Sequence, residues 1–151
     1  MRPPPTHVIE TASAAALPAL LALLDAAGLP QDGFADHIGN ALLVRNGDVI
    51  LGCAALEIYG SAALLRSVAV APTAQGRGLG AQLVTAALTL AEDRQIRRVY
   101  LLTETAANYF PRFGFAPIPR ADVDPAVKQS VEFTSACPQS AVVMEKKMND
   151  E

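Results

Sequence analysis

The sequence is poor in several features that mark specialised classes of protein. It contains no tryptophan, and among its 151 residues only 5% are aromatic and 18% are charged. Its two cysteines, Cys53 and Cys137, are too few for a disulfide framework. The net charge of −3 gives no sign of binding to nucleic acid or to a membrane surface. His7 and His37 have no metal-ligand spacing around them, so we predict no metal site.

The sequence also lacks a long apolar run and a recognisable targeting segment. The alanine- and leucine-rich run over 12–24 is interrupted by Pro18 and is too short to span a bilayer. Arg2 and the prolines after it are not followed by the apolar region of a signal peptide. We therefore expect a cytoplasmic protein. Because 51% of the residues are hydrophobic, we predict one compact domain over 1–151, with a flexible tail at 1–5.

The most informative stretch, residues 64–91, reads as a strand, a glycine-rich loop and an amphipathic helix. A mostly apolar segment ends at Pro72, and apolar residues recur at helical spacing over 83–91. Three glycines lie between them, within 76–80. Glycine lets a ligand approach the backbone closely, and the N–H groups at a helix start carry partial positive charge. The loop therefore suits a phosphate group, and Arg77 adds a full positive charge beside it.

Three phosphate-binding motifs compete for this loop. A Walker P-loop requires Gly-Lys-Ser/Thr, but Gly80 is followed by alanine and glutamine. Residues 76–81 fit the spelling of a dinucleotide fingerprint, in which the first glycine follows the strand directly, whereas residues 71–75 intervene here. The third pattern is Gln-x-x-Gly-x-Gly after a strand that ends in Val-x-Pro, and 75–80 and 70–72 match it. The order of strand, proline and helix favours this third pattern.

The segments before the loop predict three antiparallel strands. Residues 41–44 and 49–58 read as two strands joined by an Asn-Gly turn at 46–47. A Gly-Ser turn at 60–61 then leads into the strand 62–70. This arrangement is typical of an α+β sheet and is a poor start for a dinucleotide-binding βαβ fold.

The other segments complete a mixed sheet with helices. Ser13 is a candidate cap for a helix whose leucines over 17–24 form one stripe. The strand 97–103 follows the loop helix, which implies a right-handed parallel crossover. An Asp-Pro pair predicts a helix over 124–131, and the last strand is expected within 140–148. Because this apolar strand is expected at a sheet edge, a homodimer is a further expectation.

Three features together resemble the GNAT N-acetyltransferases: the order of elements, the loop 75–80 and the ending Tyr-Phe-Pro-Arg-Phe-Gly-Phe at 109–115. The resemblance extends over nearly the whole chain, 8–148. It implies an α/β fold of the α+β type, a mixed and largely antiparallel sheet with a central, splayed parallel pair formed by 64–70 and 99–103. It also implies that acetyl-CoA lies between these strands and gives its acetyl group to a small primary amine, by direct attack in a ternary complex.

The resemblance assigns the cofactor to one strand, the loop and the aromatic ending. Backbone groups of the first splayed strand would pair with the pantetheine arm, and a backbone amide near Val68 would stabilise the oxyanion. Amides of the loop would hold the pyrophosphate, and two residues of the ending would flank the thioester. The implied cofactor residues are Val68, Ala69, Val70, Gln75, Gly76, Arg77, Gly78, Leu79, Gly80, Ala81, Asn108 and Phe110.

The segments 56–60, 63–68 and 133–141 are similar to the arsenic-resistance branch of this family. This similarity implies an acceptor that is amino-acid-like or an arsenic- or phosphorus-containing analogue. Cys137 is either an arsenic ligand or a cysteine of the pocket wall or core. Trivalent arsenic prefers several soft ligands, and the second cysteine is distant in sequence, so the wall or core role is favoured.

Acetyl transfer needs a base for the amine and an acid for the departing thiolate. Glu57 is the first candidate base, and its alternative role is a solvated carboxylate at a hairpin end. Glu104 is the rival base, with a helix-capping role as its alternative. Tyr109 is the candidate acid, although the family's usual tyrosine position holds Phe110, and packing is the alternative for Tyr109.

Arg66 places a charge in the middle of a strand that is buried on both faces, so it needs a partner. It either pairs with Glu57 or, with Ser67 beside it, grips an anionic group of the substrate. A two-residue turn at 60–61 places Glu57 and Arg66 on one face, whereas a shift of one residue separates them.

Two other functions remain open at this point. A non-catalytic acyl-CoA sensor would keep the glycine-rich loop but would need no base. A dinucleotide-binding oxidoreductase would use the same glycines for a different cofactor.

Overall fold

The computed structural model describes residues 8–136 and 140–148. The predicted tail at 1–5 lies outside the described residues, and so do His7 and Cys137. The strands and α-helices of the described part are β1 (Ile9–Thr11), α1 (Leu17–Ala26), β2 (Ala41–Asn46), β3 (Val49–Tyr59), β4 (Ala62–Val70), α2 (Leu79–Asp93), β5 (Arg98–Thr103), β6 (Ala116–Pro117) and β7 (Val142–Lys147).

The strands form one sheet in the order β1-β2-β3-β4-β5-β7-β6. β4 and β5 are parallel, and every other neighbouring pair is antiparallel. Helix α2 connects β4 to β5 and packs against β3 and β4. The predicted mixed, largely antiparallel sheet with one central parallel pair is therefore confirmed.

Hydrophobic cores cover both faces of the sheet. Along β3, Ala54 faces the core that contains α2, and Ala55 faces the core that contains α1, because side chains alternate along a strand. Farther along the α1 face, the segment 123–133 covers Leu64 and Tyr100. Charged side chains on this second face therefore lie between α1 and the segment 123–133.

The two predicted hairpin turns are confirmed, and the second sets the register of the site. Gly60 has φ +66°, and Tyr59 pairs with Ala62 across a two-residue turn. In this register Glu57 pairs with Leu64 and Ala55 pairs with Arg66. Glu57 and Arg66 are therefore diagonal neighbours on the same face.

A β-bulge interrupts the pairing of β3 with β4. Cys53 pairs with Ala69 and Ala55 pairs with Arg66, so two residues of β4, Ser67 and Val68, oppose a single residue of β3. Ser67 has φ +61°, which is uncommon for a residue with a side chain. The bulge changes the direction of the strand between Arg66 and the following residues.

The segment 124–131 corrects one prediction, because it does not form a continuous helix. A 3-10 turn covers Val127–Gln129, and a π-helical turn covers Glu132–Ala136. The break lies at Ser130, which has ψ +141° and accepts a hydrogen bond from the N–H of Glu132 through its buried hydroxyl oxygen, at 3.2 Å. An extended residue with a local capping bond ends one turn and starts the next.

Two smaller expectations are also corrected. Ser13 makes no side-chain cap and precedes a 3-10 turn, Ala14–Ala16, and α1 begins at Leu17 with proline in its first turn. β7 is not an edge strand, since the short β6 pairs with Met144 and Glu145 on its outer side. The reasoning from an exposed edge to a homodimer loses support, and the homodimer itself stays a prediction.

Candidate functional site

A cleft opens in the sheet where the parallel strands diverge. β4 and β5 pair only at Ala62–Arg98, Ala63–Val99 and Leu64–Tyr100. Beyond these pairs the cleft encloses about 630 Å³. Its walls include the remainder of both strands, the chain after α1, the start of α2, the segment 103–110 and Glu132. The predicted splay between the two strands is confirmed.

The glycine-rich loop ends at one side of this cleft. Gly76 and Gly78 have φ +83° and +78°, values that favour glycine, and Gly78 directly precedes α2. The first helical hydrogen bond runs from the N–H of Gln82 to the carbonyl of Gly78, at 3.1 Å. The amides of 79–81 therefore stand in the first turn, ahead of the helical bonds, where an anion can accept from them. Gly80 lines the cleft.

The side chains of Gln75 and Arg77 bond to nearby backbone carbonyls. Gln75 Nε2 donates to the carbonyl of Val70 at 3.1 Å, and Arg77 Nη2 donates to the carbonyl of Thr73 at 3.3 Å. Both side chains are exposed. The bond from Gln75 fastens the loop to the end of β4, so this glutamine shapes the loop and leaves its backbone for a ligand.

The predicted cofactor residues occupy different positions around the cleft. The walls include Val68, Ala69, Val70, Gln75, Gly80 and Phe110. Gly76, Arg77, Gly78 and Asn108 are exposed and lie outside its lining. The side chain of Leu79 belongs to the core, and Ala81 is half-buried in the first turn of α2.

The aromatic ending packs against the start of α2. Tyr109 contacts Phe110 and Phe113 edge to face, with ring centroids 5.3 and 5.4 Å apart. Arg112 lies over the ring of Tyr109 at 4.4 Å. A Cβ atom on Gly80 would stand 3.4 Å from the hydroxyl of Tyr109, so this hydroxyl lies at the loop end of the cleft. Its surroundings support the packing role more than the role of a thiolate acid.

Arg66 is the centre of a buried polar cluster. Its Nη1 donates to Glu57 and to the carbonyl of Asp32, both at 2.7 Å, and its Nη2 donates to the carbonyl of Pro30 at 3.0 Å. Its Nε donates to the hydroxyl of Ser67 at 3.0 Å. The guanidinium is thus bonded to three elements of the fold: the chain after α1, β3 and β4. These bonds use four of the five N–H donors of the guanidinium, which leaves little capacity for a substrate anion.

Glu57 lies inside the same cluster and outside the cleft lining. Its carboxylate accepts from Arg66 at 2.7 Å and from the hydroxyl of Tyr59 at 2.6 Å, and His37 Nε2 is 3.7 Å away. Burial acts to raise the pKa of Glu57, but the bonds from Ser130, Tyr59 and Arg66 and the charge of His37 outweigh it and lower this pKa. This geometry supports the ion-pair alternative over the role of a base.

Glu132 is a cleft residue that sequence reasoning did not identify. It is 4% exposed, lines the cleft and places Oε2 3.2 Å from Nε of Arg66. A signal was present, because Glu132 lies between the apolar Val131 and Phe133, and a carboxylate in such a position is a natural partner for a buried arginine. The predicted continuous helix over 124–131 obscured it.

The remaining polar groups near the cleft have simpler surroundings. Glu104 and Thr105 line it and are exposed, and the hydroxyl of Thr103 accepts from the N–H of Ala106 at 2.9 Å.

Burial raises the pKa of the Cys53 thiol to about 12, against a weaker lowering by the backbone at Ala69. This thiol therefore stays protonated at neutral pH, as expected of an inert core cysteine.

Two further features concern metals and membranes. Within 8–136 and 140–148, no group of three or more histidine, cysteine, aspartate and glutamate side chains could hold a metal ion. In the same part of the chain, no helix combines the length and apolar character needed to cross a membrane.

The splayed sheet and the glycine-rich start of α2 agree with the resemblance found in the sequence. The profile described as "Acetyltransferase (GNAT) family" matches residues 13–115. The chain therefore belongs to the GNAT acetyltransferase family, which uses acetyl-CoA. Family membership supports the predicted enzyme class, an N-acetyltransferase.

Known proteins resemble the chain in sequence and in fold. An amino-acid acetyltransferase of Mycobacterium tuberculosis is 39% identical over 71 residues, which is 46% of this chain and 40% of that protein. The match thus spans less than half of the relative's length. A crystal structure of an M. tuberculosis protein in complex with CoA and another ligand has a TM-score of 0.79 at 23% identity, and the likeness covers 94% of this chain and 99% of that chain.

N-acetylglutamate synthase of Neisseria gonorrhoeae, complexed with CoA and N-acetyl-glutamate, has a TM-score of 0.82 at 18% identity. This likeness covers 98% of our chain and 36% of the synthase chain. At such identities the likeness establishes the fold alone. Both solved structures contain CoA, which agrees with the predicted cofactor. Neither these structures nor the amino-acid acetyltransferase supports the arsenic-resistance branch in particular.

Proposed function

We propose that this protein transfers the acetyl group of acetyl-CoA to the primary amine of a small, amino-acid-like compound, by direct attack in a ternary complex. The observation that carries the proposal is the cleft between β4 and β5, bounded at one side by the first-turn amides of α2. The unpaired edge of β4 suits the pantetheine arm of CoA, and the anion site at the start of α2 suits its pyrophosphate. The two sites follow each other along the cleft as these two groups follow each other along CoA.

In this proposal, backbone groups make most of the contacts with the cofactor. The edge of β4 at 68–70 pairs with the pantetheine arm, and the amides of 76–81 bind the pyrophosphate. Phe110 covers the cofactor from the cleft wall, while Asn108 loses support because its side chain is exposed outside the lining. A backbone amide near Val68, which lines the cleft beside the bulge, serves as the donor to the oxyanion.

The acceptor is proposed from the relatives and from the sequence. One relative is an amino-acid acetyltransferase and one neighbour holds N-acetyl-glutamate, which supports an amino-acid-like acceptor. An arsenic- or phosphorus-containing analogue remains a finer proposal that rests on sequence similarity alone. The hydrogen bonds of Arg66 remove much of the support for a substrate-gripping role of Arg66 and Ser67.

The catalytic roles of Glu57 and Tyr109 also lose support. Glu57 is held in ion pairs away from the lining, and the hydroxyl of Tyr109 lies beside Gly80. Water then protonates the CoA thiolate in place of a tyrosine. A cytoplasmic location and a homodimer stay predictions.

Two measurements on the purified protein test the proposal. In a thermal-shift assay, acetyl-CoA and CoA should raise the melting temperature, whereas NAD and NADP should not. In a CoA-release assay, a panel of amino acids, their decarboxylated amines and their phosphonate analogues should contain acceptors that accelerate release over hydrolysis. Binding of acetyl-CoA without release to any amine would favour the acyl-CoA sensor, and stabilisation by NAD alone would favour the oxidoreductase.

A further inference from the structure

Glu132 is a buried carboxylate that the family resemblance does not explain. We propose that it binds the amino group of the acceptor and takes up its proton, which makes it a catalytic residue of the reaction proposed above. The inference rests on that proposed function and assigns the base that the function needs.

The charges around Arg66 carry the first step. One guanidinium faces two carboxylates, Glu57 at 2.7 Å and Glu132 at 3.2 Å. The side chains of Arg66, Glu57 and Glu132 are 0%, 1% and 5% exposed. Glu57 is held between Arg66 and His37, whose Nε2 is 3.7 Å away, whereas Glu132 reaches the cleft wall. A buried carboxylate at that wall can bind the ammonium group of an acceptor.

The position of the two carboxylates decides which of them the amine meets. Glu57 points toward His37 and Tyr59 and is absent from the cleft walls, whereas Glu132 lines the cleft. Glu132 and the hydroxyl of Ser67 contact the same Nε of Arg66. Glu132 therefore lies beside the bulge of β4, where the strand edge proposed for the cofactor begins.

The local backbone is consistent with a functional position. Glu132 begins the π-helical turn, and its N–H is held by the buried hydroxyl of Ser130 at 3.2 Å. Turns of this kind are rare and occur frequently at functional sites. Arg66 acts as a positioning residue, because it fixes the carboxylate against the cleft wall.

The proposed step balances without another reactant. The ammonium group gives one proton to Glu132, and the freed lone pair attacks the carbonyl carbon of the thioester. As the oxyanion collapses and the C–S bond breaks, the nitrogen loses its second proton, which a water molecule passes to the CoA thiolate, so that a neutral amide and CoASH form. Glu132 returns its proton to water. Among the described residues, the charged or titratable groups around it include Arg66, Glu57, His37 and Tyr59 within the cluster, with Glu104 on the cleft wall.

Glu132→Gln tests the role with little change of shape. We expect kcat/KM for the best L-amino acid of the panel to fall about 100-fold or more, while the affinity for CoA is unchanged. Glu92→Gln, an exposed position on α2, is the matched control and should retain full activity. Glu132→Asp, which keeps the carboxylate, should recover part of the rate. Wild-type activity in Glu132→Gln, or a comparable loss in Glu104→Gln alone, would overturn the assignment.

The pH profile gives a readout that a purely structural role would not move, and its first comparison uses the wild-type protein alone. We compare an L-amino acid with its methyl ester, whose amine has a lower pKa. The rising limb of kcat/KM should occur at the same pH for both substrates, because the protein supplies the base. A limb that follows the pKa of each amine would overturn the role, as would an unchanged limb in Glu132→Gln. A wild-type protein that acetylates no amine would instead refute the proposed function itself.

Discussion

At the scale of single residues, Arg66 shows how one buried charge organises a site. Its guanidinium holds carbonyls of the chain after α1, one carboxylate from β3 and one from the segment 130–136. The sequence predicted that such a charge needs a partner and that Glu57 lies within reach. It could not predict that Pro30 and Asp32 would supply two further acceptors, because a loop conformation far along the chain sets that contact.

Replacing Arg66 by methionine should destabilise the fold strongly. The change leaves two buried carboxylates without their cation, which typically costs about 3–5 kcal/mol. Urea denaturation measures the difference in the free energy of unfolding. Arg45→Met is the control, since its ion pair with Glu10 is exposed (side chains 52% and 38% exposed) and such pairs contribute at most about 1 kcal/mol. Equal losses in the two variants would contradict the structural role of Arg66.

At the scale of elements, the regular parts of the fold were predictable and the connecting segments were not. Alternating apolar residues and the two glycine turns defined the β2–β3–β4 meander, and glycines followed by a leucine stripe defined α2. The segment 124–136 was mispredicted, because Asp-Pro is a helix-start signal whose continuation depends on Ser130, a residue equally common in turns. The carboxylate of Glu132 was missed for the same reason.

The chain after α1 contains a glycine, Gly33, that packs closely against Val131 and Arg66. Gly33 has φ +76°, and a Cβ atom on it would lie 2.8 Å from Cγ1 of Val131 and 3.4 Å from Nη1 of Arg66. We expect Gly33→Ala to lose about 1 kcal/mol for the backbone conformation and a further amount, about 1–3 kcal/mol, for overpacking. Thermal or urea unfolding measures both contributions together.

Gly28→Ala is the matched control for this element. Gly28 has φ +71°, but a Cβ atom on it would meet nothing within 4 Å. The difference between the two variants therefore isolates the contact with Val131, and Val131→Ala should restore part of the loss in the Gly33→Ala background. A Gly33→Ala variant as stable as Gly28→Ala would show that the contact with Val131 does not restrict the side chain at position 33.

At the scale of the whole molecule, the sheet consists of two parts that share few backbone pairs at their seam. The part from β1 to β4 and the part from β5 to β7 share three register pairs, with α2 on one face. A cofactor in the cleft bridges both parts. The sequence predicted this seam through the resemblance, but it could not give the position at which pairing stops.

Amide hydrogen exchange should report that bridging. Addition of acetyl-CoA is expected to slow exchange at 65–70, because backbone N–H groups on the open edge of β4 gain acceptors, and at 101–106 on the opposite wall. The β2 strand, Ala41–Asn46, lies away from the cleft and serves as the internal control. Uniform slowing across the chain, including β2, would indicate general stabilisation in place of a ligand between the two strands.

The bulge in β4 separates two kinds of recognition along one strand. On the loop side of the bulge, the proposed contacts with the cofactor come from backbone peptide groups, which every amino acid carries. On the other side, the contacts come from particular side chains, those of Arg66 and Glu132. Substitutions during evolution can thus alter which amine is accepted while the acyl donor stays the same. An asymmetric scaffold of this kind can change its choice of amine through a few positions on one wall.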